Sequence, residues 1–210
     1  MTQLRSAISV AAAFGALALL AACAKPAPKP VADGDMDLGN PNAKVTIVEY
    51  ASVTCPHCAE FNKDVMPQLM AKYITPGKVH YVYREFLTPP NDVSAAGILL
   101  ARCAGKANYF KVIDDIWAAQ GQMFADGTGA NAQPVLRQIG ARYGIEGKAF
   151  DQCVTDPKGL ARIQDNIDKY MKQDGVNSTP TFIVNGKRLD RHSGGISDFD
   201  DVLQPLLQGK

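Results

Sequence analysis

The feature that most constrains the fold of this chain is a pair of cysteines placed between a strand and a helix. Residues 55–58 read Cys-Pro-His-Cys, a C-x-x-C motif. The preceding run, 44–50, is dense in β-branched and aromatic residues and predicts a strand. The stretch 56–73 repeats apolar residues at helical spacing and predicts a helix, which Pro67 should kink. The motif therefore stands on a short turn that opens a helix.

This position favours redox chemistry at the first cysteine. Cys55 falls near the N-cap, and Pro56 falls at the first helical position, where its missing N–H costs no hydrogen bond. A thiolate at Cys55 would face free backbone N–H groups and the positive end of the helix dipole, and both lower the pKa of a thiol. We expect Cys55 to be the exposed, reactive sulfur and Cys58 to be more buried.

Two other uses of the motif are weaker. A structural zinc ion needs four ligands, but the chain has no second C-x-x-C, and His80 and His192 are isolated. A disulfide with a purely structural purpose would close a small, strained ring that constrains almost nothing. We therefore interpret the motif as a dithiol–disulfide centre and expect neither a metal nor another cofactor.

The first 22 residues predict a targeting segment rather than part of the fold. Arg5 supplies the positive charge, and 6–22 is an uncharged run that is short for a membrane-spanning helix, which needs about 20 residues. The run ends in Leu-Ala-Ala-Cys at 20–23, which resembles the lipobox of bacterial lipoproteins, whose signal is cut before a cysteine that is then lipidated. The alternative is an ordinary signal peptide cut among the small residues, with Cys23 incidental.

The number of cysteines agrees with lipidation. The chain has 5 cysteines, and an odd free thiol is a liability in an exported protein. Cys55 and Cys58 form one pair, and Cys103 and Cys153 could form a second. Cys23 is left over, and lipidation would remove its thiol.

The sequence divides into three parts: the signal 1–22, a lipidated tether 23–40 and a folded domain 41–208. The tether begins with several prolines, shows no apolar periodicity and should stay extended, reaching on the order of 45 Å. Removal of the signal leaves 21 basic against 21 acidic residues. With no net charge and no basic stripe, we expect no nucleic-acid partner.

The folded part alternates strands and helices around a helical block. The order β–α–β, then helices, then β–β–α predicts a three-layer α/β architecture, a thioredoxin-like fold with a helical insertion at about 91–174. Ser197 should cap the last helix. The predicted elements after the first helix are a strand at 79–86, helices at 94–103, 109–120, 135–143 and 159–172, strands at 181–184 and 187–190 joined by an Asn-Gly turn, and a helix at 197–207.

From 42 to 207 the chain resembles the DsbA-like thiol–disulfide oxidoreductases of the bacterial cell envelope. The resemblance rests on the Pro-His dipeptide between the cysteines, on 176–182, which is similar to the thioredoxin-superfamily loop that ends in a cis-proline, and on the helical insertion between the second strand and that loop. It implies that the Thr179–Pro180 bond is cis and packs against the cysteine pair. The backbone of Thr179 would then pair with an extended substrate segment.

The resemblance also suggests roles for other residues. Glu49 matches the position of an acidic residue beneath the active site and would relay the proton of Cys58; the alternative is an ion pair with Arg84 or Lys78. Some members of the family carry a second disulfide in the insertion, where Cys103 and Cys153 lie. The alternative is two separately buried thiols.

The function that the resemblance implies is disulfide donation to unfolded or reduced exported proteins. A substrate thiolate would attack Cys55, Cys58 would leave, and His57 would help to stabilise the Cys55 thiolate. A DsbB-like, quinone-linked membrane protein would reoxidise the enzyme, which we expect to be a monomer anchored by lipid on the periplasmic side of the envelope. Ala24 after the lipidated cysteine is typical of outer-membrane sorting, which conflicts with an inner-membrane partner.

Two other functions stay open. The same centre could work as an envelope reductase or isomerase kept reduced by a membrane electron donor, although isomerases of the DsbC type usually carry an N-terminal dimerisation domain. A lipid-anchored binding module, a holdase or a copper carrier, would use the fold without turnover, but both motif cysteines and Pro180 argue against it.

Overall fold

A five-stranded mixed sheet forms the centre of the protein in a computed structural model that describes residues 30–31 and 33–209. The strand order is β1-β3-β2-β4-β5. Strands β2 and β3 are parallel, and β1, β4 and β5 run antiparallel to their neighbours. The strands are β1 (Met36–Gly39), β2 (Val45–Ala51), β3 (Val79–Glu85), β4 (Thr181–Val184) and β5 (Lys187–Arg188).

Helices cover both the motif and the sheet, as the thioredoxin-like prediction requires. The predicted helices of the insertion are confirmed, and two short helices that were not predicted are present, α5 (Gln120–Met123) and α7 (Gly147–Val154). Helix α7 buries Phe150 and Cys153 along one side. The helices are α1 (Pro56–Asp64), α2 (Met66–Leu69), a π-helical turn (Met70–Ile74), α3 (Asn91–Cys103), α4 (Tyr109–Ala118), α5 (Gln120–Met123), α6 (Ala132–Arg142), α7 (Gly147–Val154), α8 (Pro157–Asp174) and α9 (Ile196–Leu207). None of the helices in the described ranges has the length and apolar character needed to cross a membrane.

The segment predicted as a helix over 56–73 is helical, but at the predicted kink it is interrupted at Val65. Helix α1 ends at Asp64, α2 begins at Met66 with Pro67 in its first turn, and a π-helical turn follows. The reason is that Pro67 has no N–H to donate to the preceding turn, and its ring excludes the carbonyl there.

The insertion is joined to the sheet by a buried charged cluster. Glu85, at the end of β3, accepts from Arg102 Nε at 2.6 Å, from Tyr109 Oη at 2.8 Å and from Arg162 Nη1 at 2.8 Å. These partners lie on α3, α4 and α8, so one carboxylate ties three helices to one strand. Buried pairs of this kind are costly to break, because removal of one partner leaves an uncompensated charge.

The predicted tether 23–40 extends too far toward the domain. Met36–Gly39 pairs with β3, and Met36 is buried in the core. Upstream, Asp35 accepts from Arg84 Nε at 3.0 Å, and Gly34 O accepts from Arg102 Nη2 at 2.8 Å. The strand was missed because four residues with two apolar positions give almost no period-two signal.

Two predicted details near the C-terminus are also wrong. Helix α9 has Gly195 at its N-cap, and Ser197 makes no cap. Asp198 instead accepts the backbone N–H groups of Ser193 and Gly194 at 3.0 and 2.9 Å, which fixes the turn before the helix. Strand β5 ends at Arg188, two residues earlier than predicted.

Candidate active site

Cys55 caps the N-terminus of α1, where the sequence placed it. Its backbone is extended (φ −78°, ψ 118°), and its sulfur accepts the backbone N–H of Cys58 at 3.3 Å. Pro56 stands in the first helical turn, where it removes a donor that would have no partner within the helix. The local sequence therefore points the Cys55 sulfur at the free end of the helix.

The environment of Cys55 favours its thiolate. A hydrogen bond from the Cys58 side chain, with further hydrogen bonds from Thr179 and from the backbone N–H groups of Cys58 and His57, lowers the pKa of Cys55 to about 6, against the opposing effect of burial. The residue is only 5% exposed. The prediction of an exposed sulfur is thus too strong, because the loop before β4 covers most of it.

Cys58 has the opposite character. It is fully buried, and burial raises its pKa well above the ordinary value, helped by the hydrogen bond to Cys55 and the charge of Glu49. Both motif cysteines are free thiols, so the structure represents the dithiol form. A pair with one stabilised thiolate and one stabilised thiol is suited to exchange through a mixed disulfide.

The loop before β4 lies directly against the motif. The Thr179–Pro180 peptide bond is cis, and the Thr179 carbonyl oxygen lies 3.5 Å from the Cys55 sulfur. A groove of about 450 Å³ runs between α1 and this loop, and its lining includes His57, Thr179, Pro180 and Arg191. A second cis peptide bond, which was not predicted, joins Pro89 to Pro90.

Glu49 lies on β2, fully buried. Tyr81 donates its hydroxyl to Glu49 Oε2, and Oε1 has no partner among the described residues. Burial raises the pKa of Glu49 to about 8, against the Tyr81 hydrogen bond and the positive charge of Arg191. The alternative of an ion pair with Arg84 or Lys78 is wrong. Arg84 binds the carboxylates of Asp35 and Asp174, and Lys78 Nζ lies 6.0 Å from the centre of the Tyr73 ring.

His57 is turned away from the thiol chemistry. Its side chain is 80% exposed, and Nδ1 lies 3.1 Å from the carboxylate of Glu60 on the next turn. The contact to Cys55 comes from the His57 backbone N–H, which helps to lower the pKa of that thiol.

The insertion supports the motif through residues that sequence reasoning did not select. Gln120 Nε2 donates to the carbonyl oxygens of Val53 at 2.8 Å and Cys55 at 3.1 Å, and Trp117 Nε1 donates to Ser52 O at 3.1 Å. These bonds join parts of the chain about 65 residues apart. No local pattern in the sequence signals such a contact.

Cys103 and Cys153 form a second pair, within the helical insertion. A disulfide joins Cys103, at the end of α3, to Cys153 on α7, with the Cα atoms 6.2 Å apart. The bond fastens two helices of the insertion to each other. Cys23 lies outside the described residues.

Comparison with known proteins gives a consistent picture. A Rickettsia bellii protein named "putative protein-disulfide oxidoreductase" is 34% identical over 161 residues, 77% of this chain and 61% of the relative. A Rickettsia conorii protein with a name of the same kind is 37% identical over 163 residues, 78% of this chain and 57% of the relative. This chain thus spans about three fifths of the length of these relatives.

Solved structures and a family model extend the comparison to the fold. Wolbachia pipientis alpha-DsbA1 superimposes with a TM-score of 0.73 at 25% identity, over 84% of this chain and 92% of that one. Residues 32–203 match the family model described as Thioredoxin. Because that match covers most of the chain and the sheet, motif and cis-proline agree with it, the protein belongs to the thioredoxin family.

Proposed function

We propose that this protein is a thiol–disulfide oxidoreductase that donates a disulfide to exported proteins in the cell envelope. The observation that supports this most strongly is the opposite displacement of two pKa values within one motif. The pKa of Cys55 is lowered to about 6, whereas burial raises that of Cys58. Near neutral pH the reduced centre therefore holds a Cys55 thiolate beside a protonated Cys58.

The stabilised thiolate sets the direction of the reaction. A motif whose dithiol form is stabilised gives up its disulfide readily, because each unit by which the thiol pKa falls favours the reduced protein. Hydrogen bonds to the Cys55 sulfur that stabilise its thiolate thus make the Cys55–Cys58 disulfide a stronger oxidant.

The reaction has two exchange steps. A substrate thiolate attacks the Cys55 sulfur of the disulfide, the S–S bond breaks, and Cys58 leaves as a thiolate that takes up a proton. A second substrate thiolate then attacks the substrate sulfur in the mixed disulfide, and Cys55 leaves as a thiolate. The substrate loses two electrons and two protons in forming its disulfide, and the enzyme gains the electrons as a dithiol.

The groove beside the motif suits an extended substrate segment. The Thr179 carbonyl lies at the Cys55 sulfur, where it can pair with substrate backbone as a strand added to a sheet edge would. Pro180 and Arg191 line the same groove. Such pairing holds the substrate sulfur next to Cys55 and requires no particular substrate sequence.

Three further residues have proposed roles in the motif. Pro56 has no N–H and so leaves no unpaired donor in the first turn of α1. His57 adds to the stabilisation of the Cys55 thiolate, and its backbone N–H donates a hydrogen bond to that sulfur. Glu49 exchanges the proton of Cys58, because its raised pKa lets it both give and accept a proton near neutral pH.

We propose that the domain is lipid-anchored through Cys23 on the periplasmic side of the envelope after cleavage of a signal at 1–22. The tether then runs from 24 to about 33, since Gly34 and Asp35 are already held by Arg102 and Arg84 of the domain. A DsbB-like membrane oxidase is the proposed source of new disulfides. Ala24 favours the outer membrane in organisms that sort lipoproteins, so this partner requires different sorting or a released domain.

The competing functions are distinguished by the direction of electron flow. An envelope reductase or isomerase would use the same cysteines, kept reduced by a membrane donor. A binding module would perform no exchange. The low pKa of Cys55 favours the oxidase, because a reductase gains from a less stable dithiol form.

Disulfide transfer from the oxidised full-length protein to a reduced two-cysteine peptide tests the proposal. We expect one peptide disulfide and one reduced motif per transfer, and no transfer by Cys55→Ala or Cys58→Ala. Given the oxidised peptide instead, Cys58→Ala should accumulate a mixed disulfide, because its Cys55 thiolate attacks the peptide disulfide and displaces one peptide thiolate. The variant lacking both Cys103 and Cys153 is the control and should retain transfer. Reduction of a peptide disulfide by the dithiol form, without the reverse transfer, would identify a reductase instead; no exchange at all would identify a binding module.

A further inference from the structure

We infer that Tyr81 is a positioning residue for proton transfer at Cys58, because it fixes one oxygen of Glu49 and leaves the other to exchange the proton. This inference rests on the proposed function. It adds to that function a residue on a different strand, which is not among the residues that line the substrate groove.

Tyr81 and Glu49 meet inside the protein, on one face of the sheet. In the parallel register, Ile47 pairs with Tyr81 and Glu49 with Tyr83, so the side chains of these four residues lie on the same face. Glu49 is 0% exposed and Tyr81 is 2% exposed. The Tyr81 hydroxyl donates to Glu49 Oε2.

The helix that carries the cysteines covers this same face. Phe182 on β4 stands opposite Glu49, and its ring packs against Phe61 of α1 with the ring centroids 4.6 Å apart. Cys58 lies on the same helix and is buried, and the charge of Glu49 raises its pKa. Glu49 is therefore hydrogen-bonded to Tyr81 on β3 and lies close enough to α1 for its charge to act on Cys58.

The hydrogen bond makes the two carboxyl oxygens different. A tyrosine hydroxyl has one proton to donate, so its bond to Oε2 uses that oxygen as an acceptor. When Glu49 is protonated, its proton resides on Oε1, which has no partner in the described part of the chain. A buried polar oxygen without a partner calls for an explanation, and exchange of a proton with Cys58 supplies one.

The pKa of Glu49 depends on its burial and on the charged and polar groups that face it. Burial raises its pKa to about 8, and the Tyr81 hydrogen bond and the Arg191 charge act in the opposite direction, whereas the Cys55 thiolate raises it further. Removal of the Tyr81 hydroxyl should therefore move the ionisation of Glu49 to higher pH. The titratable and charged groups that face Glu49 are Tyr81 and Tyr83 of β3, Cys55 and Cys58 at the start of α1, and Arg191 after β5.

The step that depends on this arrangement is the attack of Cys58 on a mixed disulfide at Cys55. The proton of the Cys58 thiol passes to Glu49 Oε1, and the thiolate attacks the Cys55 sulfur. The bond between Cys55 and the bound thiol breaks, and the bound thiol leaves as a thiolate with both electrons of that bond. The motif is thereby oxidised to its disulfide, and the released thiol is reduced.

Release of glutathione from a Cys55–glutathione mixed disulfide tests the inference, followed in the full-length protein over a range of pH. In Tyr81→Phe we expect the midpoint of the rate profile to move to higher pH and the rate near neutral pH to fall by roughly tenfold, the effect of one pKa unit. Tyr83→Phe is the matched control, because Tyr83 is equally buried but donates to Ala51 O at 3.4 Å. It should keep the wild-type midpoint.

A second variant covers the case in which Tyr81→Phe does not fold. Fluorotyrosine incorporated at position 81 is a stronger donor and should move the midpoint to lower pH, and the infrared band of the Glu49 carboxyl, assigned with Glu49→Gln, should move with it. Identical midpoints for wild type, both position-81 variants and Tyr83→Phe would overturn the inference. Failure of wild-type protein to oxidise the reduced peptide is a separate result, which would overturn the proposed function.

Discussion

Cys55 and Cys58 are less than one helical turn apart, yet their environments shift the pKa values of their thiols in opposite directions. The Cys55 sulfur accepts hydrogen bonds at the free end of the helix, and the Cys58 sulfur lies inside, where burial disfavours charge. The two residues are chemically identical, so the environment of each sulfur decides its role. In the proposed reaction, Cys55 is the thiolate of the dithiol, and Cys58 is the leaving group when the disulfide is attacked.

At the scale of single residues, the side-chain contact from Cys58 should matter more to Cys55 than the imidazole of His57. Cys58→Ala removes the largest stabilising hydrogen bond and should raise the pKa of Cys55 toward its ordinary value. His57→Ala keeps the backbone N–H and should raise it less. The ultraviolet absorbance of the thiolate, titrated in both variants, measures this, and a larger shift in His57→Ala would contradict the assignment.

Glu49 should cost the protein stability at neutral pH. Its folded pKa of about 8 exceeds the ordinary 4.5, so the folded state binds the proton more tightly and stability falls as pH rises through this window. Glu49→Gln should therefore raise the free energy of unfolding by up to roughly 3 kcal/mol near pH 7, from about 1.4 kcal/mol per pKa unit. Denaturant unfolding at several pH values measures it. A gain that persists undiminished near pH 4 would show another cause.

Contacts between elements explain why the insertion matters to the motif. Gln120 of α5 holds the carbonyl groups of Val53 and Cys55, and Trp117 of α4 holds that of Ser52. The loop that presents the first cysteine is thus fixed from the insertion as well as from its own helix.

Gln120→Ala should weaken this support. It removes two hydrogen bonds and leaves carbonyl oxygens without those partners, a change worth about 1–3 kcal/mol. We expect a lower free energy of unfolding and slower disulfide transfer to the reduced peptide. Gln122→Ala, at an exposed position two residues away, is the matched control. Equal transfer rates in the two variants would show that the motif does not need this contact.

The disulfide within the insertion should act on stability alone. It closes a loop with a sequence separation of 50, worth about 4 kcal/mol in the chain-entropy model. Replacement of both Cys103 and Cys153 by Ala should lower the free energy of unfolding by that order and leave the reduction potential of Cys55–Cys58 unchanged. A displaced potential would mean that the two centres are coupled.

The sequence-based predictions were correct where short-range patterns determine the structure. The strands beside the motif, the Asn185–Gly186 turn and the N-cap position of Cys55 follow from short-range rules of periodicity, positive φ and capping. Strand β1 and the Gln120 contacts could not be predicted, since they depend on pairing with distant parts of the chain. For Glu49, the pattern left two roles open, and the ion pair was excluded only by the partners that Arg84 and Lys78 have in the structure.

At the scale of the whole molecule, the proposed lipid anchor determines how far the active site lies from the membrane. The folded domain begins before β1, where Asp35 and Gly34 are bound by arginines of β3 and α3. A lipid at Cys23 would then be joined to the domain by about ten residues, shorter than the sequence suggested. The active site would work close to the membrane surface.

Cys23→Ser tests the anchor without touching the folded domain. We expect the variant to move from the membrane fraction to the soluble fraction of the envelope, while its purified domain keeps wild-type disulfide transfer to the reduced peptide. Fractionation of cells that express either form measures this. Retention of Cys23→Ser in the membrane fraction would contradict lipidation at this residue.

The reduction potential of the Cys55–Cys58 pair tests the central claim most directly, measured by equilibration of the full-length protein with glutathione. The stabilised Cys55 thiolate predicts a potential more oxidising than that of the glutathione couple, as expected of a disulfide donor. A strongly reducing potential, near that of thioredoxin at about −270 mV, would contradict the account and make this protein an envelope reductase.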